Sequence, residues 1–236
     1  MTFFGSAKHS ERDERSPNTL AKLERLRKTF SHEEADRVPI TDFFWGSFTK
    51  RWREELGLPE DADPSRHSDL DFIVTVPNMD PHIRPFETVK EDDEEVVIKT
   101  GFETTIRKRF DLPMPEQISW ETDTIEKLEA FEFDDPHDRA RYFEAGDNQI
   151  AGVGDGFERN SPPWVETVKS LYVDVPVYGS ITEASEITTR LLGQLNTLTW
   201  IGEYPERFGE QLLRIGKFSY EVTKAQIEAA DGYLDG

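Results

Sequence analysis

The sequence contains no cysteine. That absence excludes disulfides and any thiolate zinc site within these residues, and it makes a cytoplasmic location the default, because disulfide frameworks belong to oxidising compartments. Long hydrophobic runs are missing too. The opening MTFFGSAKHSERDERSPNTL lacks the apolar stretch of a signal peptide, and no segment approaches the ~20 apolar residues of a membrane span. Basic residues are scarce: 28 Lys and Arg stand against 48 Asp and Glu, for a formal net charge of -20. Phosphate contacts need clustered cations, so neither nucleic acid nor membrane is expected as a partner. The acidic balance itself promotes solubility. The histidines, His9, His32, His67, His82 and His137, are scattered with no i, i+4 pair, a pattern that predicts no metal ligation within the chain.

What is present reads as globular. Hydrophobic residues make up 36% of the 236, with 16 Phe, 5 Trp and 6 Tyr, enough to bury a sizeable core. Residues 1–34 read as a polar tail and a helix, capped by Asn18 and carrying Leu20, Leu23, Leu26 and Phe30 on one stripe. In RVPITDFFW the branched and aromatic Val38, Ile40, Phe43 and Phe44 predict a buried strand. Ser47 opens a helix with Phe48, Trp52 and Leu56, closed by Gly57. DLDFIVTV alternates as a half-buried strand does, and EEVVIKT and FETTIRKRF flank Gly101 as a hairpin. DLPMPEQISW reads as extended, Asp123 and Glu126 as a capping box, and Asp135-Pro136 as another helix start. Beyond Ser161 the pattern becomes helix, strand (VDVPVYGSI), helix ending at Gly193, a further helical piece, and a long helix opened by Pro205 that leads into ADGYLDG. Strand, helices, strand is the parallel βαβ arrangement, so the fold class expected is α/β with an α+β excursion. GVGDG at residues 152–156 follows no clear strand and reads as a loop rather than a phosphate cradle.

In parallel α/β proteins, functional groups gather at the carboxyl ends of the strands. Asp42 and Trp45 follow the first expected strand, Ser180 and Glu183 the second, and Asp235 the last. Each has a plain structural role open to it, as a turn or helix cap; their convergence is what points to a site. In PNMDPHIRPFE, Asp80, His82 and Arg84 lie close together on an expected loop, where the arginine could clamp a carboxylate and the histidine move a proton.

RVPITDFFWGSFTKRWREELGLP, VPVYGSITEASEITTRLLG with YPERFGEQLLRI, and the closing AADGYLDG together resemble the uroporphyrinogen decarboxylase superfamily over roughly residues 35–236. The resemblance implies a (β/α)8 TIM barrel with an elaborated N-terminal region. On that pattern residues 38–44, 175–181 and 232 onward are barrel strands lying side by side, and the chain is a fragment that stops at the third. The superfamily holds two chemistries. Decarboxylases of porphyrin biosynthesis grip the substrate's carboxylates through an Arg-Gln-Ala-Gly-Arg-Tyr motif after the first strand, whereas this chain has FFWGSFTKRW there, with Lys50, Arg51 and Arg53 on a helix. The other branch consists of methyltransferases that work with a corrinoid protein and a zinc-activated thiol. It is the reading favoured here; its zinc ligands would lie beyond Gly236, with no cofactor inside the chain. The resemblance implies a small-molecule substrate, either a methyl carrier or a porphyrinogen, and is compatible with a homodimer. A ligand-binding or interaction protein built on an incomplete barrel is the non-catalytic reading. On the resemblance, Asp235, Glu183 and Asp42 are the expected catalytic groups, and Trp45, Asp80, His82, Arg84 and Ser180 the expected substrate contacts.

Overall fold

The computed structural model describes residues 14–151 and 157–236. The loop expected at residues 152–156 and His9 lie outside them. The first half runs α1 (Pro17–Phe30), α2 (Gly46–Leu56), α3 (Pro64–His67), β1 (Ile73–Thr75), then β2 (Glu87–Glu91), β3 (Glu95–Lys99), β4 (Thr104–Arg109) and β5 (Glu116–Trp120). After these come α4 (Ile125–Ala130), α5 (Ala140–Phe143), β6 (Gly146–Asn148) and β7 (Glu158–Ser161). The last third is α6 (Trp164–Tyr172), β8 (Val177–Gly179), α7 (Ala184–Leu192), α8 (Gln194–Glu203) and α9 (Pro205–Ala230). The protein is mixed α/β, and none of its sheets among the described residues closes into a barrel.

Helix boundaries follow local chemistry. Pro17 begins α1 and Ser16 caps it, its Oγ accepting from Thr19 N at 3.1 Å, so the cap stands two residues before the expected Asn18. The buried stripe also differs from the expected one: Thr19, Lys22 and Leu26 are buried, while Leu20 and Phe30 are exposed. Gly57, at φ 62, ends α2 in the left-handed conformation that glycine adopts without cost. Thr124, rather than Asp123, caps α4, and Ile125, Leu128 and Phe131 go inward as their spacing predicts.

Two strands from distant parts of the chain form the centre. β1 pairs with β8 in parallel, with Ile73 opposite Val177 and Thr75 opposite Gly179. The last residues extend this pair, since Asp235 N donates to Val177 O at 2.7 Å and Gly179 N to Gly236 O at 2.8 Å. Both bonds climb β8 in the same sense as the end segment, so that segment runs parallel to it. The stretch 38–44 departs from expectation. It forms no regular strand, Val38 is 79% exposed, and it lies beside residues 71–72 through Asp71 N to Ile40 O at 2.8 Å. β1 therefore occupies the place beside β8 that the sequence suggested for 38–44. Nor does DLDFIVTV keep a wet face: Leu70 and Asp71 are both buried, as suits a parallel strand covered on both sides.

The expected hairpin is real and larger than predicted. β3 and β4 pair antiparallel across the Gly101 turn, with β2 and β5 on their flanks, in the order β2-β3-β4-β5. Its inner face, Ile98 and Ile106 with Phe86, forms a small core of its own. The main core gathers Met79, Phe102, Leu128, Leu191, Ile215 and Phe218 between the loop after β1 and helices α4, α7 and α9. A second, with Trp164, Val168, Val177 and Ala225, packs α6 and α9 on β8. No helix among the described residues is long and apolar enough to cross a membrane.

Candidate functional site

The carboxyl ends of β1 and β8 are adjacent: Ser180 N donates to Thr75 O at 2.9 Å, and Thr182 Oγ1 to Met79 Sδ at 3.4 Å. The loop leaving β1 is shaped by a residue far along the chain. Arg141, buried, donates from Nη1 to the backbone oxygens of Asn78 (3.0 Å) and Asp80 (2.8 Å), and from Nε to that of Asp135 (2.9 Å). Its Nη2 reaches the oxygens of Asp134 (3.3 Å) and Pro81 (3.5 Å). A guanidinium presents its donors as a rigid fork, so five carbonyls are drawn around one plane.

Asp80 sits on this loop with no solvent exposure. Both its oxygens accept from Gln149 N, at 3.1 and 3.0 Å. Burial pushes its carboxyl up to about 7, against the backbone N–H of Gln149 and the charges of Arg190 and Arg141, which pull it down. A carboxyl that exchanges its proton near neutrality has the acidity that general acid–base work calls for. Asp80 is enclosed by its neighbours here, so such a role requires the loop to open.

His82 and Arg84, two and four residues on, converge on Glu103. His82 Nδ1 lies 2.7 Å from Glu103 Oε1, and Arg84 Nη2 donates to the same oxygen at 2.5 Å. Lys99 Nζ reaches Oε2 at 2.9 Å. The other nitrogen of His82 lies 2.7 Å from Glu132 O, so the ring makes both contacts as a donor only when it carries both protons. Burial pushes the Glu103 carboxyl up, but Lys99, His82 and Arg84 outweigh it and hold the group below its ordinary range. Glu103 adopts φ 53, a strained conformation for this residue type. The turn that holds it depends on Gly101, where a Cβ would stand 2.0 Å from His82 O. His82 and Arg84 thus both engage a protein carboxylate already in place.

The other expected site residues disperse. Glu183 precedes α7 and is exposed, accepting from Ser185 Oγ at 3.2 Å; Ser180 is half-buried beside it. Asp42 is exposed, accepts from the N–H of Phe43 at 2.8 Å, and opens on a cleft of about 270 Å³ that Phe44, Arg53, Asp63 and Val74 also line. Trp45 precedes α2 at the N-cap position, 37% exposed. Asp235 lies away from the carboxyl ends. Arg15 holds both its oxygens at 2.7 and 2.8 Å, and Val177 N, at the start of β8, donates to it at 2.8 Å. Its reach is therefore toward the entry of β8, where Arg15 also donates to Tyr172 O at 2.6 Å.

Among the described residues no three His, Cys, Asp or Glu side chains converge as a metal-binding group. The resemblance places its zinc ligands beyond Gly236, outside these residues. Glu103, Arg141 and Gln149 organise the loop after β1 yet drew no attention in the sequence. Glu103 could have been found, since it follows the turn at Gly101; the role of Arg141 in that loop carries no local signal, because Asn78, Asp80 and Pro81 lie about sixty residues away. Set against known proteins, the chain matches no family model, no curated protein and no solved structure.

Proposed function

We propose that this chain is the amino-terminal part of an enzyme of the uroporphyrinogen decarboxylase superfamily, from the branch that transfers methyl groups with a corrinoid partner and a thiol acceptor. On this reading β1, β8 and the end segment are neighbouring strands of a TIM-type sheet, and residues 76–84 and 180–183 form part of the rim over the substrate. The observation that supports it best is the parallel run of β1, β8 and residues 235–236, which brings two strand-exit loops together on one side. The methyl-transfer branch is preferred because FFWGSFTKRW, in the place of the decarboxylase arginine motif, presents no arginine pair: Arg53 turns to Ala62 O at 2.8 Å and Arg51 to Glu55. Any zinc would be held by residues outside this chain.

The test uses the protein as its gene encodes it, incubated with methylcobalamin and a small thiol, with and without zinc. Thiol-dependent loss of the methylcobalamin absorbance, abolished by a chelator, is the expected result. No demethylation, together with release of carbon dioxide from uroporphyrinogen III, would replace this reading with the decarboxylase; neither activity would leave the ligand-binding one. Glu183→Ala and Asp42→Ala are expected to depress turnover without unfolding the protein, and unchanged kinetics would remove them from the site.

A further inference from the structure

A cavity of about 330 Å³ opens at the opposite side of the molecule, where β1 and β8 begin. Its polar lining comes from Ser16 and Asn18 at the start of α1, Lys22 one turn on, Arg66 of α3, and the carboxylates of Asp69 and Asp174; its apolar lining includes Ile73 and Val175. The frame is stiff. Ser16 N and Thr19 Oγ1 both donate to Val173 O, at 3.0 and 2.7 Å, tying the start of α1 to the turn before β8.

Lys22 is the unusual member. Lysine rarely goes inside without a partner for its charge, and Lys22 is 4% exposed. Among the described residues its ammonium meets one carboxylate, Asp69 Oδ1 at 2.6 Å, which also accepts from Asn18 Nδ2 at 3.1 Å. One contact uses one of three donors. Asp69 itself is held at φ 48, a left-handed conformation, so the pair is kept in place against local preference. Among the described residues, Arg66 has no carboxylate nearer than Asp63 at 4.0 Å. The first turn of α1 adds the partial positive charge of a helix start, which favours an anion. With Asp69 matched by Lys22 and Asn18, Arg66 is the cation of the lining left without a close partner among the described residues; Asp174, the other acidic group lining the cavity, is exposed.

We propose that this cavity binds a small organic oxyanion, its carboxylate or phosphate head held by Lys22, Arg66 and the start of α1, and its short apolar body laid on Leu70, Ile73, Leu171 and Val175. The volume lies at the small end of ligand pockets, and a lining that combines cations with apolar side chains is what such a ligand requires. The inference stands apart from the proposed activity, since it concerns the opposite end of the strands and rests on no resemblance.

Isobutyl phosphate, isobutyrate and isobutanol, titrated separately into the full chain by calorimetry, test it. At least one anion is expected to bind saturably while the alcohol does not; tighter binding of the phosphate identifies a phosphate ester, and tighter binding of the acid a carboxylate. Arg66→Ala is expected to weaken the preferred anion about tenfold, the loss of one charge-assisted contact, and Lys22→Met at least as much. Arg66 is exposed, so its variant keeps the fold and decides the matter even where Lys22→Met does not fold. Saturable binding of neither anion, equal binding of the alcohol, or undiminished affinity in Arg66→Ala would overturn the proposal.

Discussion

The two ends of the β1·β8 pair handle their most deeply buried charges in opposite ways. At the end where the strands begin, opposite charges meet: Arg15 with Asp235, Lys22 with Asp69, and Arg25 and Arg37 with the fully buried Asp71. At the end where they finish, the buried charges of Asp80 and Arg141 are each surrounded by backbone. Asp80 takes its hydrogen bonds from a peptide N–H, and Arg141 gives its own to carbonyls, including that of Asp80 rather than its carboxylate. Paired charges cancel and make a rigid base. A carboxyl with no ionised side chain in hydrogen-bond contact, by contrast, keeps an acidity that burial can move, which is why the finishing end is the chemically adjustable one.

Removing Arg141 is the strongest way to break this contrast. Arg141→Leu orphans the carbonyls of Asn78, Asp80 and Asp134, while those of Pro81 and Asp135 keep the N–H groups of Asp134 and Asp138; at ~1–3 kcal/mol for each acceptor left unmade before relaxation, a net loss on the order of 5 kcal/mol in urea unfolding is expected. A loss below about 1 kcal/mol would mean that the loop after β1 holds its own shape. At the other end, Asp71→Asn leaves Arg25 and Arg37 facing a neutral group, and roughly 3–5 kcal/mol is expected from breaking a buried pair.

Asp80→Asn should act in the reverse direction. The native carboxyl is raised from 3.8 to about 7, so its stabilising contribution is complete below pH 3.8 and fades as pH rises through 7. The native protein should therefore lose stability on this account between about pH 4 and pH 7, whereas the Asn variant should not. At pH 8 the variant is expected to be the more stable by on the order of 2–4 kcal/mol, with the advantage vanishing near pH 4. Parallel stability curves for the two proteins over that range would show that Asp80 is not the adjustable group. Gly101→Ala, which places a Cβ against His82 O, should cost roughly 2 kcal/mol through displacement of the turn. Glu183→Ala, at an exposed position, is expected to move the melting temperature by less than about 2 °C. A larger shift would mean that Glu183 supports the rim.

What the sequence made legible was local. Periodicity and punctuation placed α2, α4, α6, α7 and α9, the hairpin at Gly101, and a strand within residues 175–181, because each depends on residues a few positions apart. The stretch 38–44 failed because branched and aromatic composition marks a side chain's preference for burial, and only a neighbouring strand can supply the ladder; β1 took that neighbour. Lys22 shows the same limit from the other side. Leu20 is the better apolar residue, yet the face tied down is that of Thr19 and Lys22, through Val173 O and Asp69. Of the expected site, the cluster Asp80, His82 and Arg84 does lie at a strand exit, but its organiser Glu103 arrives from a different sheet. Asp235 was expected at a strand exit, but its carboxylate goes to Val177 N at the entry of β8 and to Arg15, a partner 220 residues earlier that no local pattern announces.

Arg141 also bears on the order in which the molecule is assembled. The loop at residues 78–81 takes its form from a guanidinium about sixty residues downstream, so a growing polypeptide that has emerged only through the antiparallel sheet carries that loop unset. Amide exchange on a chain ended after α4 should find residues 78–80 open, and adding α5 should close them. Protection already present in the shorter chain would show that the guanidinium fits a shape that forms without it.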